Sequence, residues 1–264
     1  MVKPRFGKRI MVIPDVQAKP GDDFEFLTHI GKYAVKMKPA VIVCIGDFAD
    51  MPSLSTYEPK GSKKFEGRRY KKDIEAAKQA MATLMAPIIK EQRRLARLGK
   101  VWKPKLVLTY GNHEHRIPRA VDADPKLDGL ISLKDLEYEK WGWKCYEFLK
   151  PVCIDNVVFS HYMVSGVMGR PVTTARALLT KHHQSCIVGH QQGRDIAYSK
   201  RADGTDMTAI ICGSCYEHDE DYLNPQTNNH WRGLYMLLDV TPDGSFDELP
   251  ISLNWLRRKY GKQT

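Results

Sequence analysis

Ala40-Val-Ile-Val-Cys-Ile45 is an unbroken apolar run, and Gly46-Asp-Phe-Ala-Asp50 follows it without a spacer. A run of this kind is a strand covered on both faces, as in a sheet flanked by helices. Upstream, Arg9-Ile-Met-Val-Ile13 reads as an earlier strand. Residues 23–38 between them carry helical spacing through Phe24, Leu27, Ile30, Val35 and Met37. Downstream, Lys105-Leu-Val-Leu-Thr-Tyr110 is a third strand. Before it, a helix is expected over residues 73–98, with a kink or break at Pro87. Strands alternating with helices argue for an α/β fold. Short helices are expected over residues 116–121 and 133–140. The second half is richer in strands, at 144–147, 152–154, 157–160, 185–188, 195–198, 208–212, 234–240 and 247–253, with one helix over 173–181. Asp155-Asn156 and Asp243-Gly244 are turn signals between neighbouring strands. No repeat or linker divides the chain, so one domain over residues 1–264 is expected, with a polar, basic insertion at residues 51–72.

The chain has 264 residues, 42% hydrophobic and 27% charged, the composition of a globular protein with a sizeable core. The basic N-terminus has no apolar segment behind it, and no apolar run approaches the roughly 18 residues that span a bilayer. The expected location is the cytoplasm, with no membrane partner. Cys44, Cys153 and Cys186 lie in apolar runs, Cys145 stands apart, and Cys212-Gly-Ser-Cys215 is the one close pair. With no second pair, reduced structural thiols are the expectation, although His218 nearby keeps a metal role open. The net charge is +10, and residues 60–72 carry seven basic side chains against Glu66 alone. Arg257, Arg258, Lys259 and Lys262 form a second basic stretch. Such segments suit a polyanionic partner or serve equally as solvated surface.

Chemistry collects where the apolar runs end. The first is followed by Pro14-Asp15-Val16-Gln17, the second by Gly46-Asp47-Phe48-Ala49-Asp50, and the third by Gly111-Asn112-His113-Glu114-His115. Val157–Ser160 runs into His161, and Ser185–Val188 into Gly189-His190-Gln191-Gln192. Ligands bind beyond the carboxyl ends of strands in open α/β sheets, so these residues should meet in one crevice. Asp, Asn, His and Gln supply oxygen and nitrogen donors for divalent cations of intermediate hardness. Glycine before Asp47, Asn112 and His190 lets backbone come close to an ion or a phosphate.

In these motifs the sequence resembles the calcineurin-like metallophosphoesterase superfamily, whose ordered pattern is Asp-x-His, Gly-Asp-x-x-Asp, Gly-Asn-His-Glu, a lone His and Gly-His-x-His. The resemblance covers residues 9–192, and Gly111-Asn112-His113-Glu114 is its most specific element. It implies a four-layer α/β/β/α sandwich with mixed sheets. It also implies two divalent cations bridged by Asp47, one completed by Asn112, His161 and His190, the other by Asp15, Gln17 and Gln192. A water activated between the ions would attack phosphorus, and His113 would protonate the leaving oxygen as general acid. Asp50 and Glu114 would orient the ligands, and Arg116 and Arg170 would contact phosphate. Gln17 and Gln192 stand where the pattern has histidines. Their neutral amide oxygens favour Mn²⁺ or Mg²⁺ over Zn²⁺ and imply a weaker second site.

The expected substrate is a nucleic-acid or nucleotide phosphodiester, with residues 60–72 guiding phosphate. A small-nucleotide pyrophosphatase or phosphomonoesterase is the nearest rival. A catalytically degenerate nucleic-acid-binding protein is the answer from another class. The compact layout and the aromatic tail, with Tyr216, Tyr222, His230-Trp231-Arg232 and Tyr235, loosely resemble phage-encoded members, for which the location would be the host cytoplasm. Those aromatics fit packing in a second sheet better than stacking on bases.

Overall fold

The computed structural model describes residues 7–56, 63–219 and 229–261. In chain order the elements are β1 (Lys8–Ile13), α1 (Glu25–Met37), β2 (Val41–Cys44), α2 (Tyr70–Arg97), β3 (Lys105–Thr109), α3 (Arg116–Ala123), β4 (Trp143–Tyr146), β5 (Val152–Ile154) and β6 (Val157–Ser160). They continue as β7 (Val164–Ser165), β8 (Arg170–Pro171), α4 (Ala175–His182), β9 (Cys186–Val188), β10 (Arg194–Lys200), β11 (Asp206–Cys212), β12 (Gly233–Val240), β13 (Asp247–Ser252) and α5 (Leu253–Tyr260). One sheet has the order β13-β12-β1-β2-β3-β4 and the other β10-β11-β9-β6-β5. Both are mixed. β1, β2, β3 and β4 run parallel, β12 lies antiparallel beside β1, and β13 pairs antiparallel with β12 at the edge. β6, β9 and β11 are parallel, and β5 and β10 pair antiparallel at the edges.

The period-two alternation of strand side chains sorts the core into three slabs. Met11, Ile13, Ile42, Cys44, Leu106 and Leu108 face α1, α2 and α5. Their neighbours Ile10, Val12, Val41, Val43 and Val107 face the second sheet, where they meet Val157, Phe159, Ile187 and Ile210. On the far side, Cys186, Val188, Ala209 and Ile211 pack under Leu178 and Leu179 of α4. The layers are therefore α/β/β/α, a mixed α/β fold. β2 is buried at every position, as its apolar run requires.

The differences from the sequence reading have local causes. Residues 70–97 form a single helix with Pro87 inside it. Leu133–Leu136 and Tyr138–Trp141 are two 3-10 turns instead of one short helix. Arg257, Arg258 and Lys259 form the last turn of α5, an element the sequence reading did not contain. There they oppose the partial negative charge of the helix C-terminus; Lys262 lies outside the described residues. All six cysteines are free, and His218 pairs with Asp22 Oδ2 at 3.0 Å. Tyr216 and Tyr235 are fully buried and Trp231 packs on the inter-sheet core, so they serve as packing; Tyr222 lies outside the described residues. Among the described residues, no helix is long and apolar enough to cross a membrane.

Candidate metal centre

The loops after β1 and β2 are zipped together. Gln17 N donates to Asp47 O at 2.8 Å, Ala18 N to Phe48 O at 2.9 Å, and Asp50 N to Ala18 O at 3.0 Å. Glu114, fully buried, fastens the third loop to the second. Its carboxylate accepts from the backbone N–H of Asp47 (3.0 Å), Ala49 (2.9 Å) and Gly111 (2.8 Å). At Gly111 an added Cβ would collide with Asp47 Oδ1, and at Gly189 with Asp15 Oδ1. These glycines are the close approaches on which the site depends. Gln17, Asp47, His190 and Gln192 all adopt positive φ, at 46°, 51°, 68° and 58°. Non-glycine residues rarely adopt this backbone, and such strain gathers at functional sites.

Asp47, His161 and His190 offer ligand atoms within 4.8 Å of one another. Asn112 Oδ1 lies 2.8 Å from both His161 Nε2 and His190 Nδ1, and Asp47 Oδ2 is 3.2 Å from His161 Nε2. His161 Nδ1 is 3.0 Å from the Ile45 carbonyl, an acceptor, so that nitrogen carries the proton. In neutral His161, Nε2 then turns a lone pair towards two further acceptors, Asn112 Oδ1 and Asp47 Oδ2. Such a cluster needs a positive charge at its centre. Burial disfavours an imidazolium at His161, but the Asp47 carboxylate outweighs it and pushes His161 up to about 9. His190 moves the other way, to about 4, through burial and the neighbouring His161. A divalent cation meets the same demand with four donors, so the residues present fit a metal ion.

A second group lies alongside. Asp15 accepts from His190 N at 3.1 Å and from Gln192 Nε2 at 2.6 Å. Burial, with the Asp47 charge nearby and His161 opposing, pushes Asp15 up to about 7. Gln192 Oε1 is buried with no hydrogen-bond partner among the described residues, and Gln17 is buried beside these residues in sequence and loop. An orphaned carbonyl oxygen next to a buried carboxylate also suits a cation.

His113 sits at the margin of this cluster. Its Nδ1 is 2.6 Å from Asp50 Oδ1 and its Nε2 is 3.7 Å from Asp47 Oδ2. Burial works against its charge, but Asp47 and Asp50 raise it above the ordinary histidine range. Asp47 is buried as well, and the His113 and His161 imidazoles hold its carboxyl below the usual range. Arg116 is partly committed. Its guanidinium donates to Asp50 O at 2.9 Å and Met51 O at 3.3 Å and lies 3.3 Å from His113 Nε2. Arg170 is exposed on the β7–β8 hairpin, outside this hydrogen-bond network.

The basic segment is anchored at the same place. Arg68 Nη1 donates to Pro52 O at 3.0 Å, and Ser53 N donates to Asp73 Oδ2 at 2.9 Å. Arg69, Lys71 and Lys72 are exposed at the start of α2, where Arg69 donates to Arg68 O at 2.7 Å and Lys71 lies 4.0 Å from Glu75. Lys60 lies outside the described residues.

The sequence reading gave no role to three rings near the candidate ligands: Phe148 and Tyr162, against His161 and His190, and His115, stacked on Phe148. Phe148 follows β4 and Tyr162 follows His161, so each stands at a strand end, the position that exposed the other site residues.

No family model matches the chain, and no curated protein does. Among solved structures it is similar to Yfce, a phosphoesterase from E. coli, at 11% identity with a TM-score of 0.36. That match covers 93% of this chain and 100% of the other.

Proposed function

We propose that this chain is a metal-dependent phosphoesterase, and within that class a phosphodiesterase acting on nucleic-acid or nucleotide phosphodiester bonds. One observation carries the reading: the acceptor atoms of Asp47, Asn112, His161 and His190 converge while His113 stands 3.7 Å from Asp47. When bound, divalent cations supply electrophilic charge towards a phosphoryl oxygen and make water nucleophilic at neutral pH. Asp47, Asn112, His161 and His190 would hold one ion, and Asp15, Gln17, Gln192 and Asp47 the other. The oxygen-rich second set favours Mn²⁺ or Mg²⁺.

The remaining work falls to the protein. Asp50 fixes the ring of His113 through Nδ1, Asp47 and Asp50 together favour its charged form, and Nε2 would give a proton to the departing oxygen. Glu114 holds two ligand loops in register through its three backbone hydrogen bonds. Arg116 braces the loop by donating to Asp50 O, and its guanidinium, 3.3 Å from His113 Nε2, opposes the imidazolium charge and would contact a phosphate placed there. Support for a polyanionic substrate comes from the exposed Arg69, Lys71 and Lys72 at the start of α2, the helix whose N-terminal end Arg68 and Asp73 tie to the turn after Asp50.

The test is a panel of phosphomonoesters, phosphodiesters and pyrophosphates assayed with Mn²⁺, Mg²⁺, Zn²⁺ and Ni²⁺. Phosphodiesters should turn over fastest, with Mn²⁺ or Mg²⁺. His113→Ala should lower kcat by about 10²–10⁴-fold while bound metal, measured by elemental analysis, is unchanged. No turnover of any ester with any metal would overturn the reading, and metal loss in His113→Ala would overturn the role of that residue.

A further inference from the structure

Phe48, Phe159, Tyr216 and Tyr235 pack with no exposed surface, and half-buried rings such as Tyr110, Tyr146 and Trp231 lie against the core clusters. Phe148 and Tyr162 are half-buried too but belong to none of the three core clusters. With His115, also half-buried, they adjoin the candidate metal ligands. Tyr162 lies 4.7 Å from the His190 ring and 5.7 Å from that of His161, centroid to centroid. Phe148 is 5.5 Å from Tyr162, edge to face, and 6.3 Å from His161. His115 stacks on Phe148 at 4.7 Å with the planes 28° apart.

The backbone holds this wall in place. Glu147–Lys150 is a tight turn, closed by Lys150 N donating to Glu147 O at 3.0 Å, with Leu149 at φ 62°. It presents Phe148 just beyond the end of β4. Ser160 Oγ donates to the Tyr162 carbonyl at 2.9 Å, which fixes the residue that follows His161. Two strand ends, one from each sheet, thus bring rings against the polar cluster of His161 and His190 and away from the core clusters.

We infer that Phe148 and Tyr162, backed by His115, form a nucleobase subsite that stacks a base of the substrate while its phosphodiester lies at the metal ligands. The inference rests on the proposed phosphodiesterase reading for where the phosphate sits. A base is joined to its phosphate through one sugar, so a ring wall beside the ligands is within its reach. Aromatic faces bind any base, because every base has a π-face, and stacking is worth about 1–3 kcal/mol per base. The wall would make this protein discriminate between nucleotide esters and simple phosphate esters, and would leave sequence preference weak.

The experiment has two arms, both on the full chain. In the first, kcat/KM with Mn²⁺ is compared for a dinucleoside monophosphate and for the same diester lacking both bases. Phe148→Ala and Tyr162→Ala should each lose about tenfold or more on the base-bearing ester and little on the abasic one. Phe148→Trp should restore the difference. In the second, without added metal, the fluorescence of a 2-aminopurine oligonucleotide should be quenched by the parent protein and not by Phe148→Ala. Equal losses on both esters, or unchanged quenching in the variant, would overturn the subsite. If the parent protein turns over no ester, the phosphodiesterase reading fails, and the fluorescence arm still decides whether the wall stacks a base.

Discussion

Asp50 accepts from His113 Nδ1 at 2.6 Å, and that contact adds to the pull of Asp47 on the proton of the proposed general acid. Burial lowers the affinity of His113 for its proton, while Asp47 and Asp50 raise it. A general acid works while protonated, so activity should fall as pH rises through this raised value. Asp50→Asn keeps a hydrogen-bonding side chain and removes the charge. The alkaline limb of the pH–rate profile should then move to lower pH, with bound metal unchanged. An unmoved limb would mean that another group sets it. The convergence of Asp47, Asn112, His161 and His190 was legible in the sequence because each stands at the end of an apolar run, His161 directly and the others after one glycine. Phe148 was not legible, because a phenylalanine after a short strand reads as core. The Ile45 carbonyl that orients His161 could not be read at all, since a backbone group leaves no trace in residue identity.

The helical layer shows what periodicity captures and what it leaves out. Pro87 removes one helix hydrogen bond and usually breaks or kinks a helix, yet α2 continues through it. It is held there by its partner: Gly31 of α1 brings the two helices so close that an added Cβ would lie 2.5 Å from Leu84 O and 3.0 Å from Pro87 Cγ. Gly31→Ala therefore sets two effects against each other. Alanine gains about 1 kcal/mol of helix propensity over glycine. Overpacking against backbone, which cannot rotate away, costs about 1–3 kcal/mol. The clash should win, lowering the urea midpoint; a higher midpoint would show that α1 and α2 separate there at no cost. α5 escaped the sequence reading for a different reason. It follows β13 with no loop, Ser252 being at once the last strand residue and the N-cap that accepts from Trp255 N at 3.2 Å. A helix of eight residues adds too few apolar positions to stand out from the strand before it.

At the scale of the molecule, the net charge of +10 and its placement bear on the substrate more than any single contact does. The strand ends of the two sheets bring the proposed ligands together, but they would do so equally for a small ester. Residues 63–72 are what a small ester does not need, since Arg69, Lys71 and Lys72 are exposed at the start of α2. A polynucleotide bound there releases counterions, and its affinity falls with salt by a slope of about 0.9 per phosphate neutralised on a duplex, or about 0.7 on a single strand. Binding of an oligonucleotide should therefore weaken steeply between about 50 and about 200 mM salt. Turnover of an uncharged-leaving-group diester should change little over the same range. Replacing Arg69, Lys71 and Lys72 with alanine should flatten the binding slope by up to about 0.9 for each residue that meets a phosphate, leaving the small diester unaffected. If the slope is unchanged, these side chains are solvated surface, and the charge of the chain serves solubility instead of substrate capture. If the small diester is lost as well, the segment supports the metal centre through Pro52 and Ser53, the two points where it is tied to the turn after Asp50.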